Sequence, residues 1–466
     1  MPIEDKNADM ERLIERYEKS LSEGHPGYYD VDELEDLSEY YLTQGKQKES
    51  GAVIEMGLKL HPNNSTLLLK RVTLFVEVGD YQRALHILER LPEKENADAL
   101  LLRAEIYFHT NRKQEGISIL RQLMQEEVSD RPQLCLDITS LLSEMSWFAI
   151  SIEFLLETLK DDPDNLELLE ELAYSYEQEK HYEKAIDIYN KMLDIDPYKS
   201  ETWFNLGQAW FNLENFSEAV EAFEFSLTVN PDDLIAMMQK AHALFQGSRF
   251  LEAAKAYQEY MEADEISDYV LVYVAESYEK AGLYDEAIKH YADSFQRNPQ
   301  NQDACTGIAI CLMEKREFQK SLSWFDKSLK INEEDPELWV YVAELMLQMD
   351  MKHEAITSYM RSLALKSDQP DVLVALGNIS FDNEDYEKAL DLYLKASTMD
   401  PDVPGLNLFF ALTYAKLEKE ELAAEYLTKA KLSDENAERI YHRILSQEDG
   451  SSKPDGPAST LADPEL

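Results

Sequence analysis

The sequence predicts an all-α solenoid of about twelve tandem helix pairs, on three observations. Apolar residues recur at helical spacing, interrupted by short polar turns. The pattern returns about every 34 residues, with starts at Val31, Ser65, Ala97, Pro132, Leu166, Ser200, Leu234, Asp268, Gln302, Pro336, Pro370 and Pro404. Three columns of that frame keep their side-chain size from one repeat to the next.

Ahead of the array, in residues 1–30, Met10, Leu13, Ile14, Tyr17 and Leu21 follow Asn7 at helical spacing and predict a capping helix over exposed core. Residues 31–165 hold repeats 1 to 4, which are degenerate. Arg71 and Arg103 stand there at a usually apolar position, and the starts at Ala97 and Pro132 slip from strict spacing, which predicts a bend near residues 92–131. Residues 166–437 hold the regular repeats 5 to 12. Ala437, Ile440, Tyr441, Ile444 and Leu445 predict a second capping helix, 438–447. Residues 448–466 combine Gly, Pro, Ser and Asp without apolar periodicity and predict a flexible acidic tail.

At position 8 of each repeat only Val72 is not small; the others include Ser38, Ala173, Gly207, Ala275 and Gly377. Position 20 is small in all twelve, from Ser50 and Ala84 to Ala389 and Ala423. Position 24 is large in all twelve, from Ile54 and Leu88 through Tyr189, Phe223, Tyr257 and Tyr291 to Leu427. Small residues let two helices approach, and a large one fills the space beside them.

The segment from Ser200 carries Trp203, Leu206, Gly207, Trp210, Ala219, Phe223 and Pro231, and so resembles the tetratricopeptide repeat. That resemblance implies a right-handed superhelix whose concave face is lined by the first helix of each repeat, through positions 2, 5, 9 and 12. It also implies a protein-binding scaffold.

Composition narrows the partners. The 92 acidic and 45 basic residues give a formal net charge of -47. Phosphate backbones and anionic membranes require Lys and Arg, so neither nucleic acid nor membrane is an expected ligand. The N-terminal stretch has no apolar signal core, and the apolar run 406–415 is too short to cross a bilayer, so a cytoplasmic location is expected. Cys135, Cys305 and Cys311 are odd in number and lack paired spacing, which argues against a disulfide framework or a zinc site.

No catalytic signature appears. Walker loop, dinucleotide fingerprint, nucleophile elbow and HExxH helix are all missing from the sequence, and histidines such as His109, His242 and His353 stand singly. The acidic turn Asp161 to Asn165 lacks the glycine and distal Glu of a calcium loop. With no stretch outside the repeats long enough for a catalytic domain, no enzyme activity, cofactor or metal is expected.

The twelve repeats supply 48 of the slots that the resemblance places in the groove. They contain about 15 acids and no Lys or Arg, where average usage would give about five basic residues. The acids include Glu167, Glu170, Glu276, Glu279, Glu337 and Glu344. Family members that clamp acidic chaperone tails use cations in these slots, so that function is not carried over. Between the acids, repeats 6 to 8 place Phe204, Gln208, Phe211, Met238, His242, Phe245, Tyr269 and Val272. Phe211 and Phe245 share one position in successive repeats, as neighbouring anchor pockets would. The expected function is a non-catalytic adaptor that binds a basic or amphipathic segment of another protein. A holdase for a basic client and a regulatory subunit of an enzyme complex are the alternatives.

Overall fold

The structure, a computed structural model, describes residues 3–23, 27–91, 96–125, 130–264 and 267–447. Every regular element among them is an α-helix. A lone helix, α1 (Ile3–Glu23), precedes α2 (Val31–Thr43), α3 (Gln47–Leu60), α4 (Ser65–Glu77), α5 (Tyr81–Leu88), α6 (Ala97–His109), α7 (Lys113–Gln125), α8 (Arg131–Glu144) and α9 (Phe148–Thr158), which are repeats 1 to 4. Repeats 5 to 8 are α10 (Leu166–Gln178), α11 (Tyr182–Ile195), α12 (Ser200–Asn212), α13 (Phe216–Val229), α14 (Leu234–Gln246), α15 (Phe250–Ala263), α16 (Asp268–Lys280) and α17 (Tyr284–Arg297). Repeats 9 to 12 are α18 (Gln302–Glu314), α19 (Phe318–Ile331), α20 (Pro336–Gln348), α21 (Lys352–Leu365), α22 (Pro370–Asp382), α23 (Tyr386–Met399), α24 (Leu406–Lys416) and α25 (Glu420–Ser433). The last helix is α26 (Ala437–Gln447). The chain forms two compact units, Met1–Glu214 and Asn215–Leu466. The tail expected at 448–466 lies outside the described residues, as do 92–95 and 126–129 within the stretch where a bend is expected.

Ten of the twelve expected starts coincide with the first residue of a helix. The exceptions are Pro132 and Pro404. Asp130 caps α8 by accepting from the Gln133 amide, which moves the start to Arg131. Gly405 takes a left-handed conformation, φ 73°, and delays α24 to Leu406. Most first helices are capped in the same way, by an Asn, Asp or Ser just before the start. Asn165 accepts from Leu168, Asp233 from Ile235 and Ala236, Asn301 from Ala304, and Asp335 from Glu337 and Leu338.

The turn inside each repeat has one recurring feature. Position 15 adopts positive φ in all twelve repeats, but only Gly45, Gly79 and Gly282 are glycines there. Asn111, Ser146, Lys180, Glu214, Ser248, Arg316, Asp350, Glu384 and Glu418 hold the same conformation at φ 56° to 63°. This is the left-handed residue that ends a helix and frees the chain to reverse.

The three size columns are the core. Every residue at positions 8 and 20 is buried, Val72 included, and at position 24 every residue except Leu427 is buried. The approach is close enough for polar cross-links: Ser38 Oγ lies 2.9 Å from Ser50 Oγ, and Ser321 donates to the Ala309 carbonyl at 2.7 Å. A Cβ added at Gly377 would lie 2.4 Å from the Tyr393 ring, and one at Gly116 would lie 2.3 Å from Phe108. Burying one large side chain of position 24 contributes about 1.5–3 kcal/mol. Each repeat adds one such residue, and each repeat leans on its neighbours.

Candidate protein-interaction surface

Helical geometry sorts the four expected groove positions by depth. Eleven of the twelve residues at position 2 are exposed, and none at position 12 is. Acids at position 2, such as Asp32 and Glu167 in the first unit and Asp303 and Glu337 in the second, are therefore exposed rim acids of their own units. Of the acids at positions 9 and 12, Glu39 is exposed, and Glu105, Glu177, Glu276, Glu279 and Glu344 are half-buried. Burial raises the pKa of all five above the usual carboxylate range.

In the first unit, Glu167 is exposed, while Glu170 receives the Lys199 ammonium at 2.7 Å. A cation from the inter-repeat turn thus reaches a face whose own slots contain none. Behind them the Glu177 carboxylate accepts from the Tyr189 hydroxyl. Phe204, Gln208 and Phe211, all on α12, are half-buried.

In the second unit, α14 and α16 meet through aromatic rings. The His242 imidazole stands edge-on to Tyr273 at 5.3 Å and its Nδ1 lies 2.7 Å from the Tyr257 hydroxyl. Burial lowers the His242 pKa, so at neutral pH the ring adds no positive charge to this face. Met238 is half-buried, and Tyr269 is 51% exposed beside Tyr273. Phe245 packs edge-on against Phe250 of its own repeat, with centroids 5.5 Å apart.

Val272 corrects an expectation. It is only 5% exposed, in a cluster with Ala275, Tyr291 and Ile308, and so belongs to the core instead of the surface. The Val272 side chain is covered by Tyr291 of its own second helix and Ile308 of the next first helix.

Acids of α16 lie near acids of α18, and an acid of α20 lies near another of α18. Burial, together with the neighbouring Glu279 and Asp303 carboxylates, raises the Glu276 pKa to about 7, against the opposing pull of Lys280. Glu279 accepts from the Tyr291 hydroxyl at 2.8 Å, and the Cys311 thiol approaches the same oxygen at 3.7 Å. Glu344 is raised by burial and by Glu314. Among the described residues there is no group of three His, Cys, Asp or Glu side chains arranged to hold a metal ion, and no helix long and apolar enough to cross a membrane.

Family models for the tetratricopeptide repeat match residues 75–134, 172–238, 278–345 and 370–403. The chain is a tetratricopeptide-repeat protein. No curated protein matches the sequence. Among solved structures, the chain is similar to the Cut9–Hcn1 hetero-tetramer of the APC/C, at 15% identity over 86% of this chain and 90% of that one, TM-score 0.37. It is also similar to a tetratricopeptide repeat protein from Parabacteroides merdae, at 15% identity over 52% and 95% of the two chains, TM-score 0.39. YrrB, described as a tetratricopeptide-repeat protein with an unusual peptide-binding site, matches at 11% identity over 40% and 96%, TM-score 0.32. At these identities the likenesses concern fold alone. Tetratricopeptide-repeat proteins generally mediate protein–protein interaction and are typically non-catalytic.

In this tetratricopeptide-repeat protein one set of site residues escapes a reading by position. The tyrosines of position 24 are core by size, yet the hydroxyls of Tyr189, Tyr257, Tyr291 and Tyr393 reach side chains at position 9 or 12. Besides Tyr189, Tyr257 and Tyr291, Tyr393 donates to Asn378 at 2.7 Å. The signal is in the sequence: every repeat with Tyr at position 24 has a polar partner at position 9 or 12, and Phe223 and Phe325 stand in repeats with no acid at either position.

Proposed function

We propose that this protein is a cytoplasmic adaptor whose inner face, in the second unit, holds a basic or amphipathic segment of another protein. The observation that carries this reading is the cluster of the Glu276, Glu279 and Asp303 carboxylates beside the Tyr257, Tyr273 and His242 rings, with the half-exposed Tyr269 at its edge. Tyr269 supplies apolar area and a cation-attracting ring face, and the carboxylates supply charge. Half-buried carboxylates interact with an incoming Lys or Arg more strongly than rim acids do, because less water screens them. The rim acids steer the encounter and the sunken ones hold it.

The test is calorimetric titration of the full chain with a synthetic basic amphipathic helix. Affinity should fall as salt rises, and Tyr269→Ala combined with Glu276→Gln should weaken binding about tenfold or more. Affinity that is indifferent to both salt and the double substitution would overturn the proposal.

A further inference from the structure

A second, oppositely charged feature lies in the first unit. Between α4 and α5 opens a cleft of about 590 Å3 lined by eight residues. Average usage in this chain would put about one cation and one or two acids among eight residues. Among the described residues the lining instead gathers Arg71, Arg83, Arg90 and His86 and no acid, around the ring of Phe75, although Glu55 and Asp80 pair from outside the lining with Arg71 and Arg83. The Arg71 and Arg83 guanidinium carbons stand 5.6 and 5.8 Å from that ring's centroid.

Packing does not account for Arg71. Arg71 occupies position 7, where most repeats bury an apolar residue such as Leu172, Val274 or Val342 and where only Arg103 and Lys240 are also cations. Its Nε is buried with no hydrogen-bond partner, and a single carboxylate, Glu55 at 2.7 Å, offsets its charge. An apolar side chain at this position would avoid that desolvation cost. The cleft runs along α5, which has only 8 residues, against 11 to 14 in the other second helices. The chain leaves the helix at Leu88 and sets Arg90 at the mouth, where among the described residues it has no ion pair.

We propose that this cleft binds an acidic segment of a second protein, with a large apolar side chain against Phe75 and carboxylates on Arg71, Arg83 and Arg90. Guanidinium groups suit this because they stack on flat apolar groups and bind carboxylates in a fork. A volume of this size accepts two or three side chains, not a whole helix. The inference is independent of the acidic face in the second unit, which takes a ligand of opposite charge.

The test uses the full chain and a fluorescein-labelled, end-blocked hexapeptide of alternating Glu and Phe, followed by fluorescence anisotropy. Binding should weaken about tenfold in Arg71→Met combined with Arg90→Gln, and the Gln–Phe counterpart should bind about tenfold more weakly than the Glu–Phe peptide. The Arg71→Met chain should keep its Tm, since other repeats carry apolar residues there, and this separates lost binding from lost folding. Equal binding of the neutral peptide, unchanged binding by the double variant, or full displacement by inorganic phosphate alone would each overturn the proposal.

Discussion

At the scale of single residues, the sunken carboxylates are the most informative. Glu276 has an ordinary value of 4.5 and is raised to about 7 in the folded chain. A carboxyl group whose folded pKa is raised binds its proton more tightly when folded. Its contribution to stability is therefore complete below the unfolded value and is lost as pH rises through the folded one. Wild-type Tm should accordingly fall between about pH 4.5 and 7, and Glu276→Gln should flatten part of that slope in a thermal melt series. A docked cation works in the opposite sense. By favouring the carboxylate it drives a proton off, so a basic peptide should bind more tightly as pH rises through the same window. Titration calorimetry in two buffers of different ionisation heat reads the released proton directly, and Glu276→Gln should reduce it.

At the scale of helices and turns, the size columns were legible because each rests on one physical requirement, close approach or filled space, that few residue types meet. Ala275, Ala287 and Tyr291 advertise their roles by volume alone. The left-handed turn was not legible, since Lys180 or Arg316 at position 15 is an ordinary polar residue until its backbone is seen. Such residues hold a conformation that glycine takes without steric cost. Lys180→Gly and Arg316→Gly should therefore stabilise the chain by about 0.5–1 kcal/mol each, and Gly282→Ala should destabilise it by a similar amount, measured in urea titrations. Groove depth was half legible. The helical period places positions 2, 5, 9 and 12 on one face, but the packing of adjoining helices decides that Tyr269 is exposed and Val272 is covered. Arg71 was visible in the sequence as a departure from the pattern. The gathering of Arg83, His86 and Arg90 around Phe75, which sets that departure in a cleft, was not.

At the scale of the whole molecule, nearest-neighbour packing makes stability a property of segments as much as of the chain. With two compact units, Met1–Glu214 and Asn215–Leu466, denaturant unfolding should proceed in more than one phase. Trp147, Trp203 and Trp210 lie in the first unit, and Trp324 and Trp339 in the second. Gly377→Ala, which drives a Cβ into the Tyr393 ring, should lower the midpoint of one fluorescence phase and leave the other in place. A uniform shift of a single transition would show that the two units unfold as one.

The buried thiols bear on how such opening can be timed. Cys135 belongs to the first unit and Cys305 and Cys311 to the second, all three are buried, and burial pushes each thiol pKa up. A protonated, covered thiol is inert to alkylation. Each cysteine therefore works as a stopwatch that starts only when its own stretch of chain breathes. Alkylation mass fingerprints over time, taken with and without a bound peptide, would report which end of the array a partner clamps shut.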